Sequence, residues 1–172
     1  LIADTISEIN PDCRVAATRK TSPGFRILDK KAVKIGGGDP HRMNLSDGIL
    51  IKDNHLALVP PAIAIQAAKM ITSYKKIEIE VETPENALFA AKAGADIIML
   101  DNMSPGQINR TISVLKSEGL RDRVIIELSG GIDESSLPRY AALNVDVISL
   151  GALTHSVRNF SVNLEIMPQI IP

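Results

Sequence analysis

The sequence has no tryptophan, one cysteine and an aromatic content of only 3%. Single-stranded nucleic acids are gripped on aromatic platforms, so this chain has little with which to stack bases. Cys13 has no second cysteine to pair with, which excludes an internal disulfide and fits a reducing compartment. A charge excess is also missing. The formal net charge is −1, so no broad basic surface is available to nucleic acid or anionic lipid. No apolar run approaches the ~20 residues that span a bilayer, and no basic-then-apolar leader is visible at the start. Neither a GxSxG elbow nor a Walker A loop occurs. His55 and His155 are too isolated in sequence to suggest a zinc motif. Gly36-Gly37-Gly38 follows a helical pattern and lacks the strand–GxGxxG–helix context of a dinucleotide site.

What is present is a globular composition, 45% apolar over 172 residues, enough for one domain with a sizeable core. Short β-branched runs alternate with longer helical patterns. The pattern predicts strands over 14–18, 48–52, 77–82, 97–100, 124–128 and 146–150. Helices are predicted over 25–35, 62–74, 84–94, 105–119 and 134–142, with a partly helical remainder. Thr21-Ser22-Pro23-Gly24 reads as a turn. Thr83-Pro84 and Ser104-Pro105 each read as a helix cap followed by a proline whose missing N–H needs no partner there. The opening residues, LIADTISEIN, read as the end of an amphipathic helix. An upstream part of a longer protein is therefore expected, with 1–13 as helix end or interdomain connection and 14–172 as the main domain.

About six β-α units with right-handed crossovers place the helices outside a curved parallel sheet. A full eight-stranded barrel takes at least ~200 residues. The expected fold is an incomplete, open TIM-like β/α barrel, or a barrel whose remainder lies upstream. A doubly wound open sheet is the runner-up. The third strand helps to choose. Ile77, Ile79 and Val81 alternate with Glu78, Glu80 and Glu82, whereas a strand covered on both faces is apolar throughout. In a barrel the apolar face packs on helices and carboxylates enter a polar lumen, with Glu80 and Glu82 near its C-terminal mouth.

Nearly every predicted strand runs into a charged or glycine-rich cluster. VAAT meets Arg19-Lys20, GILI meets Lys52-Asp53-Asn54-His55, and IIML meets Asp101-Asn102. VIIEL meets Ser129-Gly130-Gly131, and VISL meets Gly151-Ala152-Leu153. Parallel strands gather such ends on one face, where barrel chemistry occurs. Arg19, Lys20, Arg42 and Lys52, with His41, suit carboxylate or phosphate oxygens. Glu80 and Asp101 suit sugar hydroxyls, a developing cation, or Mg²⁺ directly or through water. The small residues after the last two strands let backbone N–H groups approach a phosphate. Taken singly, each cluster has an ordinary structural reading: a solvated turn, a surface pair, or Asp101 capping the turn at Ser104. Their recurrence at strand ends carries the weight.

ATRKTSPG, GGGDPHRMNLSD, LIKDNH, EVET, LDN, LSGGI and GALTHS occur in that order over residues 14–157. Together they resemble the catalytic domain of quinolinate phosphoribosyltransferase. The resemblance implies an N-terminal sandwich domain, absent from this chain, an incomplete barrel, and a homodimer or higher homo-oligomer in the cytoplasm. It implies transfer of phosphoribose from phosphoribosyl pyrophosphate to quinolinate, with loss of CO₂, in NAD biosynthesis. It places quinolinate near Arg19, His41, Arg42 and Lys52. Lys20, Glu80 and Asp101 would serve the phosphoribosyl substrate and its Mg²⁺, held by Glu80 and Asp101 directly or through water, and Thr18 belongs to the same binding motif as Arg19 and Lys20. Lys20, Lys52, Glu80 and Asp101 are the expected catalytic side chains. Ser129, Gly130, Gly131, Gly151, Ala152 and Leu153 would form the 5′-phosphate loops. Without the sandwich domain, activity of the isolated chain is not assumed. Alternatives are a relative using another acceptor (nicotinate, or that of the molybdenum-transport-operon paralogue), a Schiff-base aldolase at Lys52, and a phosphate-ligand sensor.

Overall fold

The computed structural model describes residues 2–157 and 161–167. Its strands are β1 (Arg14–Ala17), β2 (Ile49–Ile51), β3 (Ile77–Val81), β4 (Ile97–Asp101), β5 (Ile125–Ser129) and β6 (Val147–Leu150). They form one parallel sheet in the order β1-β6-β5-β4-β3-β2. From β2 to β6 each strand lies beside its successor, and β1 lies beside β6. This is a cyclic order with one pairing missing, between β1 and β2. A doubly wound sheet reverses direction at a switch point, and this sheet does not. The fold is an open β/α barrel.

The helices are α1 (Ile2–Ile9), α2 (Arg26–Ile35), α3 (Asp53–Leu56), α4 (Pro61–Ile71), α5 (Pro84–Ala93), α6 (Pro105–Ser117), α7 (Leu137–Ala141) and α8 (Ala152–His155). The expected caps form. Thr83 accepts from Asn86 N at 3.2 Å, and Gly94 stops α5 in the left-handed region at φ 88. Ser104 and Gln107 cap α6 reciprocally. Three details differ from the sequence reading. Lys52-Asp53-Asn54-His55 opens the short helix α3, because His55 Nδ1 accepts from the Lys52 backbone N–H at 3.0 Å. The predicted helix over 134–142 shortens to α7, because the Asp133 carboxylate draws Ser135 and Ser136 into a turn. The helix expected to reach Tyr74 stops at Ile71, since Thr72 is extended at φ −156. The expected partly helical tail yields α8. Part of that tail, residues 158–160 and 168–172, lies outside the described residues.

Strand alternation separates two environments. On the outer face Ile79, Ile98, Ile126 and Ile148 are fully buried against helices that contribute Ile65, Ala87, Ala90, Ile108 and Leu137. Each such aliphatic side chain contributes about 1.5–3 kcal/mol by leaving water. The inner face is polar. Register sets Glu80 beside Met99, Met99 beside Glu127, and Glu127 beside Val147. Neighbours in register share a face, so these side chains point into the lumen together with Glu78 and Ser149.

The seam beside β1 is covered by the segment after α2. Asp39 N donates to Val15 O at 2.8 Å, and Ala17 N donates to Asp39 O at 3.0 Å. This short parallel bridge satisfies part of the open edge and delivers His41 and Arg42 to the lumen.

Candidate active site

The innermost part of the site is a buried acid–imidazole cluster. Glu127, 2% exposed, lies at its centre. Its Oε2 is 3.2 Å from Nε2 of His41, and its Oε1 accepts a short hydrogen bond from Ser149 Oγ. His41 is held from the other side. Its backbone is left-handed at φ 55, and its N–H donates to Asp39 Oδ1 at 2.7 Å. Lys30, buried on α2, donates to the Pro40 carbonyl and so ties the same turn to the helix. Burial, followed by the charge of Arg26, lowers the Lys30 ammonium from its ordinary value, with Arg19 and Arg42 adding to the effect against Asp39.

Glu78 completes the cluster. Ligand atoms of His41, Glu78 and Glu127 lie within 4.8 Å of one another. Burial, then repulsion from Glu127, pushes the Glu78 carboxyl up to about 7, against the pull of His41, Arg42 and Lys52. Its Oε1 is buried with no hydrogen-bond partner among the described residues. The hydrogen bond to Glu127 raises the His41 pKa. Burial opposes this shift, and the charges of Glu127 and Glu78 support it.

Above this floor, Thr18, Arg19, Lys20, His41, Arg42, Lys52 and Ser129 line one cavity of ≈ 180 Å³, with Glu127 at its base. Glu80 adjoins it through a short ion pair with Lys52. A larger cavity of ≈ 770 Å³ lies among Ile132, Leu150, Ala152, Leu153 and Val157. Asp133 and Glu134 also line it, but no Arg, Lys or His does. Ala152 and Leu153 line this larger cavity. The main chain there is tied to the site by the Thr18 and Thr154 hydroxyls, 3.3 Å apart.

Asp101 ends β4 in register with Ser129 and accepts from Asn102 Nδ2 at 2.7 Å. It does not line the cation cavity and does not cap the turn at Ser104. Gly130 and Gly131 follow in the left-handed region, at φ 90 and 61. A Cβ on Gly130 would stand 2.3 Å from Asn102 Oδ1, so only glycine fits there. Glu82 is exposed beyond β3. Sequence reasoning did not pick out Glu127, Ser149 or Lys30, and noted Glu78 without a role. One usable signal was available: Glu127 is the lone charge in VIIEL, at an inward position of an otherwise apolar strand.

Residues 2–165 match the family model described as "Quinolinate phosphoribosyl transferase, C-terminal domain". The chain belongs to this family. It is 49% identical over 160 residues to a probable nicotinate-nucleotide pyrophosphorylase [carboxylating] of Methanothermobacter thermautotrophicus, covering 92% of this chain and 57% of that protein. The Archaeoglobus fulgidus protein of the same name is 47% identical, with 92% of this chain and 61% of that one covered. The solved nicotinate-nucleotide pyrophosphorylase from Francisella tularensis superposes with a TM-score of 0.83 at 39% identity, over 91% of this chain and 54% of that one. The chain thus spans somewhat more than half the length of these quinolinate phosphoribosyltransferase relatives. No helix among the described residues is long and apolar enough to cross a membrane.

Proposed function

We propose that this chain is the catalytic barrel of an enzyme that transfers phosphoribose from phosphoribosyl pyrophosphate to quinolinate. The products are nicotinate mononucleotide, pyrophosphate and CO₂, a step of NAD biosynthesis. One observation carries the reading: Arg19, Lys20, His41, Arg42 and Lys52 converge on one small cavity at the strand ends. An acceptor with two carboxylates, beside a polyphosphate, matches that charge. The family relatives, by their names, are carboxylating nicotinate-nucleotide pyrophosphorylases.

Arg19, His41, Arg42 and Lys52 would hold the two carboxylates and set the pyridine nitrogen against C1′ of the ribose. As pyrophosphate leaves, positive charge grows at C1′, and Glu80 or Asp101 would stabilise it. Lys20 would take up negative charge on the leaving oxygens, with Thr18 beside it. The nitrogen's electron pair forms the N–C1′ bond as the C1′–O bond breaks. The resulting pyridinium accepts the pair left at C2 when the carboxylate departs as CO₂, and a proton then fills C2. Pairing that carboxylate too tightly would stabilise the ground state instead, so its cations mainly orient it. Ser129, Gly130, Gly131 and Gly151 would receive the 5′-phosphate through backbone N–H groups.

Mg²⁺ fits Glu80 and Asp101. They stand on adjacent strands, both partly exposed, and belong to no preformed three-ligand cluster among the described residues. Mg²⁺ in such enzymes sits on one or two carboxylates plus substrate phosphates. Once bound, it would neutralise charge on the departing pyrophosphate. Homodimeric assembly in the cytoplasm completes the proposal. Phe25, Ile27 and Leu28, all exposed at or near the start of α2, support it by offering an apolar surface to a second copy.

The test is turnover by the complete gene product with phosphoribosyl pyrophosphate, Mg²⁺ and carboxyl-labelled quinolinate. Labelled CO₂ and nicotinate mononucleotide are expected. Absence of CO₂ release would overturn the reading, and equal or tighter binding of nicotinate would move it to another acceptor.

A further inference from the structure

The reaction outlined above gives Glu127 no task, although this residue is the least accessible charged side chain lining the cavity. An anion at the base of an anion site demands an explanation, because a bare buried carboxylate would repel the ligand. Its environment supplies one. Oε1 is occupied by the Ser149 hydroxyl and Oε2 by Nε2 of His41. The carboxylate is thus held by β6 on one side and spends its charge on one imidazole on the other. The main chain of His41 is fixed independently, through Asp39 and through the Lys30 contact at Pro40. Among the described residues Nδ1 of His41 has no hydrogen-bond partner. The ring therefore has one nitrogen committed to the protein and one left over.

We propose that Glu127 is a positioning residue: clamped by Ser149, it holds His41 by Nε2, so that Nδ1–H is the donor offered to a ligand carboxylate in the cavity. The assignment of that ligand as quinolinate rests on the function proposed above. The clamp itself does not.

The charge balance sets the size and kind of effect. The groups facing the ring are Glu127 on β5, Glu78 on β3 and Lys30 on α2, with Arg42 beside it in the chain. Burial and Lys30 both favour a neutral ring, and Glu127 supplies the largest opposing influence. In Glu127→Gln the acid loses one negative charge and the ring can release its proton. The pair is neutral overall before and after, so the field reaching a distant phosphate barely changes. What disappears is one charged donor pointed at the acceptor.

The experiment compares wild type with E127Q and S149A in the complete gene product. Imidazole ¹⁵N shifts during a pH titration report His41 directly, without turnover. E127Q should lower its pKa and alter its tautomer, and S149A should do so to a smaller extent. Quinolinate affinity should fall about tenfold in E127Q and about two- to threefold in S149A, with phosphoribosyl pyrophosphate affinity held within about twofold. An unchanged His41 titration in folded E127Q would overturn the clamp. So would equal loss of both ligands, which marks a general structural defect. If E127Q does not fold, S149A carries the test, and an unchanged titration in S149A would overturn the clamp. If the titrations shift as expected but the wild type binds no quinolinate, the function proposed above fails and the clamp stands.

Discussion

Replacing Glu78 with Gln should stabilise the protein at alkaline pH and change little at pH 5. The Glu78 carboxyl is pushed up to about 7 from its ordinary 4.5, first by burial and then by Glu127. A raised pKa means that the folded state binds this proton more tightly than the unfolded chain. The stabilisation linked to it is complete below the unfolded value and is lost as pH rises through the folded one. Across that interval the loss amounts to at most about 3 kcal/mol. The amide has no proton to release, so the variant escapes the loss. His41, whose pKa is also raised, loses stabilisation in the same direction, but it is present in both proteins and largely cancels in the comparison. Urea midpoints measured at pH 5 and pH 8, at fixed ionic strength, provide the assay. The variant should gain up to about 3 kcal/mol relative to wild type at pH 8 and match it within about 1 kcal/mol at pH 5. Parallel pH slopes for the two proteins would refute the reasoning, because they would mean that Glu78 carries the same charge folded and unfolded.

Gly130→Ala should cost about 1–3 kcal/mol, since the residue sits at φ 90 and its new Cβ would collide with Asn102; an unchanged melting temperature would contradict this. Thr83→Ala removes the cap that accepts from Asn86 N and should cost about 1 kcal/mol in urea unfolding. Arg42→Ala should weaken quinolinate binding by more than about tenfold and spare phosphoribosyl pyrophosphate, as measured by calorimetry. Asp101→Asn should do the reverse, and identical effects of both ligands on both variants would void the division of the site.

Much of the fold was legible in local pattern. Thr83-Pro84 and Ser104-Pro105 announced helix starts because capping is a contact over three residues. The Ile77/Glu78 alternation announced an inner polar face because side-chain direction in a strand has a period of two. The cations at the ends of β1 and β2 marked the site's rim for the same local reason. His41 was legible as a candidate, but its partner was not. Glu127 lies 86 residues away, and only sheet register brings the two together. Glu78 looked like one of three equivalent acids, yet burial separates it from exposed Glu82 and pushes its carboxyl up to about 7. Ala152 and Leu153 follow a strand end like the other candidates, and only the fold shows that they share a cavity with Asp133 and Glu134.

The sequence by itself determined the alternation of strand and helix, the polarity of the two sheet faces, and the order of family motifs. These depend on residues within a few positions of each other. The tertiary structure alone decided where the barrel opens, since the missing pairing lies between two consecutive strands that read like the rest. It also decided that the segment of Asp39 to Arg42 covers that opening, and that a buried acid pair stands under the cations. Those outcomes depend on register and on loss of water across distant segments. Burial changes the energy of a charge by more than any neighbour in sequence does.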